Sequence, residues 1–240
     1  MPRGSIPVLT TKLMVVFSKT FKILVVLILS ITTSFFITLS VIGKPINKVV
    51  VQDTLVKQDT IVDVKDKYSL FIGDSHTSNL SFGWQKILST KTKMRMFNVS
   101  VLGKTTGWML EQCKQNINRN FDYCFIYGGA NDMYTKSIKV ETAVKNVQMM
   151  VNLCNRNGVH PVVITGFNPL ECVKTPENPN YPLRYRKFQD MLVNTIEGAD
   201  VIITYDVKRT DCWDGLCHMA QNGHKKIANT VIKKMKFKTY

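Results

Sequence analysis

From residue 68 to residue 205, short apolar runs alternate with segments whose apolar positions recur every three or four residues. The runs Tyr68–Gly73, Met96–Leu102, Tyr123–Tyr127, Val162–Phe167 and Val201–Tyr205 are nearly continuous in apolar residues, the pattern of strands buried on both faces. Helical periodicity occupies Asn79–Leu88, Trp108–Ile117, Val140–Cys154, Leu183–Ile196 and, after the last strand, Gly223–Met235. In the third of these, Val140, Val144, Val147, Val151 and Cys154 form one buried stripe. Strands and helices in alternation predict an α/β fold, a parallel sheet covered by helices on both faces. The longest connection without a predicted element runs from Asn168 to Asn180 and contains Pro169, Pro176 and Pro179. A loop of that length beside a strand end is often functional.

Upstream the pattern changes. Ile23 to Gly43 is a run of 21 uncharged residues between Lys22 and Lys44 with no polar stripe. As a helix rising about 1.5 Å per residue it spans a bilayer hydrocarbon core, so a membrane helix is expected at residues 23–43. A cleaved signal peptide needs a shorter apolar run and a small-residue cleavage site. The long basic leader, residues 1–22, and the poor site Val41-Ile42-Gly43 favour an uncleaved anchor. Arg3, Lys12, Lys19 and Lys22 precede the run without acidic neighbours, whereas the lysines after it are interleaved with Asp53, Asp59, Asp63 and Asp66. That asymmetry predicts a cytoplasmic N-terminus and an extracytoplasmic body, whether periplasmic, extracellular or lumenal. Residues 44–66, with the near-repeat Gln52–Val56 and Gln58–Val62, read as a stalk, and 67–240 as the folded domain.

Composition narrows the class. Hydrophobic residues make up 45% and charged residues 20% of 240, which excludes a chain disordered throughout. The net charge is +15, but residues 1–50 hold six basic residues and no acidic one, leaving 26 − 17 = +9 for the remainder. A basic body raises nucleic-acid binding as a reading, yet no recognition module or aromatic interleaving accompanies it, and no nucleic-acid partner is expected. Six cysteines are compatible with an oxidising compartment. Cys124 and Cys154 read as small buried hydrophobes, and Cys212 and Cys217 lie close enough in one loop to bridge.

In a parallel α/β sheet, ligands bind beyond the carboxyl ends of the strands, so chemistry-bearing residues should follow each strand. Gly73-Asp74-Ser75-His76 follows the first and Gly103-Lys104-Thr105-Thr106 the second. Gly128-Gly129-Ala130-Asn131-Asp132 follows the third, and a loop with Asp211, Asp214 and His218 the fifth. Together these blocks resemble the SGNH (GDSL-type) hydrolases over nearly all of residues 68–236. Phe71–His76 is similar to the block that carries the nucleophilic Ser, and Asn98–Gly103 to the block whose Gly offers an N–H to the oxyanion. Gly128–Asp132 is similar to the block whose Asn offers an amide, and Asp214–His218 to the block with acid and base. The resemblance implies a three-layer α/β/α sandwich with a five-stranded parallel, flavodoxin-like sheet. It also implies ester hydrolysis or acyl transfer without metal or organic cofactor. The Gly-Asp-Ser-His form of the first block resembles that of glycan O-acyl esterases and transferases, which implies an acylated small molecule or envelope glycan as substrate.

The physical reading assigns the same residues. A serine hydroxyl attacks only when a base takes its proton, and His218 is placed to serve Ser75. Asp214 is the carboxylate nearest in sequence to orient that imidazole, and Ser75 N–H, Gly103 N–H and the Asn131 amide would form the oxyanion hole. Asp214 precedes His218 by four residues where the family spaces acid and base by three. A one-residue bulge, pinned by a Cys212–Cys217 bridge, is the favoured reading; Asp211 as the acid, or a backbone carbonyl alone, are the others. His76 reads as structural or a rim residue, His160 as a surface residue, and His224 as packing or capping. The competing class is a degenerate hydrolase fold used as a glycan-binding or structural module, supported only by the odd spacing. No signal bears on oligomeric state.

Overall fold

The computed structural model describes residues 60–78, 83–172, 178–212 and 218–240. Five strands, β1 (Tyr68–Gly73), β2 (Arg95–Asn98), β3 (Tyr123–Tyr127), β4 (His160–Ile164) and β5 (Asp200–Ile202), pair in parallel in the order β2-β1-β3-β4-β5. The helices are α1 (Trp84–Thr92), α2 (Thr106–Asn116), α3 (Ala130–Tyr134), α4 (Val140–Arg156), α5 (Pro169–Cys172), α6 (Tyr181–Thr195) and α7 (Gln221–Met235). Right-handed crossovers dictate their layers. The chain steps one way from β1 to β2 and the other way from β2 to β3, so α1 falls on the opposite face from α2, α4 and α6. Accordingly α1 packs with α7, while α2 packs on α4 and α4 on α6. The order reverses between β1 and β3, and the crevice for a ligand opens beyond their ends.

The expected α/β sandwich is therefore present, with shifted boundaries. β2 ends at Asn98, not Leu102, because the Asn98 side chain takes over the backbone: its Oδ1 accepts Ser100 N–H (2.9 Å) and its Nδ2 donates to Thr77 O (2.7 Å). β4 runs His160–Ile164, ahead of the expected Val162–Phe167, and Gly166, at φ 89°, turns the chain away. The Asn168–Asn180 loop contains the short helix α5, and Gln189 of α6 braces the approach to it by donating to Thr165 O and Phe167 O, both at 2.8 Å. Residues 79–82, part of the first expected helix, lie outside the described residues, and α1 extends later, to Thr92.

The stalk reading needs correction at its end. Val62 pairs with Phe237, donating to Lys236 O (2.8 Å) and accepting Lys238 N–H (2.9 Å), and Val64 is fully buried. Residues 60–66 thus belong to the folded body, held by the Val62–Phe237 pairing and by Val64 in the core. The core itself straddles the sheet. Phe71 and Phe125 stack on one face (4.8 Å between ring centroids) under Trp84 of α1. Cys113, Cys124 and Cys154, from α2, β3 and α4, are buried thiols, as expected for Cys124 and Cys154. Among the described residues no helix is long and apolar enough to cross a membrane; the expected anchor, residues 23–43, lies outside them.

Candidate active site

Ser75 follows the end of β1, in a turn tied to the neighbouring strand. Thr77 N–H donates to Asp74 O (3.1 Å), and the Thr77 hydroxyl to Tyr127 O at the end of β3 (2.9 Å). Gly73 has to be glycine: a Cβ there would lie 2.1 Å from Tyr127 O. At the end of β3, Gly129 has φ 103°, and a Cβ on it would meet the Phe188 ring at 2.6 Å. That turn starts α3 and sets Asn131 beside β1. His218, arriving from the far side of the chain, brings its Nε2 to 3.2 Å from Ser75 Oγ. The hydroxyl can pass its proton to that nitrogen, and such contacts tighten when substrate is bound.

Ser75, Asn131 and His218 line one cavity of 310 Å³, together with His76, Ala130, Tyr134 and Tyr181. Gly103 is exposed, at φ 74°, and is not among the lining residues. It stands one residue before Lys104, whose carbonyl accepts the Asn131 amide at 3.0 Å. A second N–H of that amide reaches Asp74 Oδ2 only at 3.4 Å, near the limit of a hydrogen bond. Asp132 ties the same two loops together. It accepts the Thr106 N–H (2.8 Å) and hydroxyl (2.6 Å), capping α2 from α3. Burial pushes the Asp132 carboxyl up, against the lowering effect of those two bonds.

Asp211 is engaged in an ion pair. Its Oδ2 accepts Lys226 Nζ (2.6 Å) and Lys208 N–H (2.9 Å), and its carbonyl accepts Ala220 N–H (2.7 Å). Burial pushes its carboxyl up, but the Lys226 ammonium and the Lys208 N–H together hold it below the usual value. It clamps the loop that leads to His218. Asp214 and Cys217 lie outside the described residues, and so does the expected bulge. Cys212 carries a thiol that donates to Lys208 O (3.6 Å).

Near Ser75 sequence reasoning missed Asp74 and left His76 between a structural and a rim role. Asp74 is fully buried, and its Oδ1 accepts His76 N–H (3.0 Å). Burial lifts its carboxyl to about 6, against the N–H groups of His76, Ala130 and Gly129 and the His218 imidazole. Its place next to Ser75 was the available signal. His76 is no surface rim: it is 4% exposed, and its ring stacks on those of Tyr127 (5.5 Å) and His218 (5.6 Å). Tyr134 and Tyr181, which meet edge to face at 5.9 Å, come from distant segments and left no sequence signal. His160 pairs with Asp200 at the surface (2.7 Å), as its reading anticipated. His224 is a packing residue whose Nδ1 accepts Trp84 N–H (3.2 Å), and burial lowers it to about 4. No group of side chains able to hold a metal ion occurs among the described residues.

Residues 70–231, more than half of the chain, match the family model of the GDSL-like lipases/acylhydrolases. The chain belongs to that family. As a GDSL-like hydrolase it is a serine ester hydrolase, and its first and third blocks follow β1 and β3. No curated protein matches it in sequence. Among solved structures it is similar to an acetylxylan esterase from Geobacillus stearothermophilus, with a TM-score of 0.58 at 13% identity over 72% of this chain and 96% of that one. An α/β hydrolase enzyme from the metagenome of Lake Arreo, Spain, gives 0.60 at 14% identity over 72% and 96%. A psychrotrophic esterase from Pseudoalteromonas sp., solved inhibited by monoethylphosphonate, gives 0.56 at 18% identity over 71% and 97%. At these identities the likeness is one of fold.

Proposed function

We propose that this GDSL-like hydrolase removes or transfers O-acyl groups, O-acetyl groups on envelope glycans in particular, using Ser75 as nucleophile and His218 as base. The observation that carries the reading is the 3.2 Å approach of His218 Nε2 to Ser75 Oγ at the wall of a 310 Å³ cavity. Ser75 Oγ bonds to the ester carbonyl carbon as its proton passes to His218 Nε2. The oxyanion is met by the Asn131 amide and the Ser75 N–H; Gly103, which does not line the cavity, has no part in this scheme. Collapse expels the sugar alcohol, which takes the proton from His218. Water, or a second alcohol in a transferase, then releases the acyl group by the same steps in reverse. Asp214 orients His218 in this scheme.

The glycan reading is supported by Tyr134, 44% exposed at the cavity, which offers an aromatic face to a sugar ring. It is further supported by a fold shared with an acetylxylan esterase. The membrane reading rests on the apolar run 23–43 and its basic flank, which would hold the enzyme outside the cytoplasm beside such polymers. A reporter fused after Tyr240 and active only in the cytoplasm would refute it. A degenerate binding module has no use for a base at hydrogen-bond distance from the serine. The direct test is labelling of the full-length chain with a fluorophosphonate probe. Wild type should incorporate it and Ser75→Ala should not; labelling that survives Ser75→Ala, or never occurs, sinks the esterase reading.

A further inference from the structure

Beside the catalytic cavity lies a second one, of 450 Å³, lined by Lys136, Lys139, Glu141, Asn178, Asn180 and Arg184 along with the apolar Ile138 and Val140. Their linings come from adjoining stretches of chain. Tyr134 and Tyr181 line the catalytic cavity, while Lys136, two residues on, and Asn180, the residue before Tyr181, line the second. Two residues of chain reach at most about 7 Å, so Lys136 at the second cavity stands within that distance, backbone to backbone, of Tyr134 at the catalytic one. Asn178 ties these stretches together by donating its amide to Tyr134 O (2.8 Å).

The charges in this cavity do not cancel. Among its described lining residues the one carboxylate is Glu141, which is paired with Lys187 at 2.6 Å and is held below its usual value by Lys187 and, less, by Lys139. Arg184 spends its donors on neutral carbonyls, Thr135 O at 3.3 Å and Ile138 O, which fixes the guanidinium without neutralising it. Lys136 and Lys139 are exposed and form no ion pair among the described residues. Among the described lining residues, three cations therefore stand against one carboxylate, and that carboxylate is shared with Lys187, so the cavity keeps a net positive charge. A neutral glycan could use the amides and ammonium donors of this cavity but not its net charge, whereas a carboxylate or phosphate on the acceptor would meet both.

We propose that this cavity is a subsite for an anionic group carried by the acceptor part of the ester, so that the substrate is an acylated acidic glycan and not a neutral one. The proposal deepens the esterase reading and rests on it for the placing of the acyl group. The probes are acetylated methyl glucoside, acetylated glucuronic acid and acetylated glucose 1-phosphate, hydrolysed by the full-length chain. Wild type should favour a charged ester over the neutral one by about tenfold in kcat/KM, mainly through KM, and the advantage should shrink with added salt. The larger of the two advantages tells carboxylate from phosphate. In the double variant Lys136→Glu, Lys139→Glu the ratio of charged to neutral kcat/KM should fall to one or below; Lys136→Ala and Lys139→Ala singly should each lose part of it. Calorimetric titration of glucuronate and of glucose 1-phosphate into Ser75→Ala, with and without the double change, reads the subsite without turnover. Equal use of charged and neutral esters by wild type, with neither anion bound, overturns the subsite while leaving the esterase standing. Anion binding that depends on Lys136 and Lys139 in a chain that hydrolyses no ester upholds the subsite and overturns the esterase.

Discussion

Replacing Asn131 by Ala separates transition-state stabilisation from ordinary binding. In the resting structure one N–H of its amide is fully used on Lys104 O at 3.0 Å, and the other is stretched to 3.4 Å toward Asp74. The stretched bond is worth little, so redirecting that N–H to a forming oxyanion loses almost nothing and gains a short charge-assisted bond. Losing one such donor raises the barrier by roughly 3–4 kcal/mol, which lowers kcat about 10²–10³-fold. The fold should lose only about 1 kcal/mol, because Lys104 is half-buried and water can replace the amide at its carbonyl. Hydrolysis of p-nitrophenyl acetate by the full-length chain gives kcat and KM, and urea unfolding gives the stability. KM should stay within about twofold, since the carbonyl oxygen is not yet charged in the ground state. Asn131→Asp, which keeps the shape and turns the donor into an anion, should be at least as damaging as Ala. A loss in kcat below about tenfold, or a loss lying wholly in KM, would refute the assignment of Asn131 to the oxyanion.

The acid of the triad is tested by a pair of changes. Asp214→Asn should lower kcat severely while leaving the fold intact, because an amide favours the wrong imidazole tautomer. Asp211→Asn should spare kcat but lower stability at neutral pH, since its depressed carboxyl stabilises the fold above the usual carboxylate range and loses that contribution as pH falls through it. A damaging Asp211→Asn with a silent Asp214→Asn in kcat measurements would reverse the assignment. His224, buried and lowered from 6.5 to about 4, contributes stability that is complete above pH 6.5 and is lost on acidification, about 3 kcal/mol by pH 4. Relative to wild type, His224→Gln should therefore gain about that much between pH 7 and 4 in urea unfolding, and a constant difference across that range would show that His224 does not titrate as buried.

The order of strands and helices was legible from the chain because burial on two faces leaves an unmistakable mark: continuous apolar runs for β1 and β3, and a valine stripe for α4. The site's outline was legible for a related reason. A parallel sheet delivers whatever follows its strands to one edge, so Ser75, Asn131 and His218 could be grouped before any distance was known. Element ends were less legible, since side chains such as that of Asn98 can replace the backbone ladder at a strand end with a turn. What only the tertiary structure decided are the pairings between distant segments. Asp211, the alternative acid of the triad by sequence, is paired in the fold with Lys226, fifteen residues later. Asp74 is an ordinary turn aspartate by sequence, and only the packing of β3's end around it removes water and lifts its carboxyl to about 6. Tyr134 and Tyr181, and the lysines and arginine behind them, become neighbours only when α3 and α6 dock side by side. Periodicity records how much of each residue is buried, but not which residue buries it, because hydrophobic burial is non-directional while a charge or a hydrogen bond depends on its particular partner.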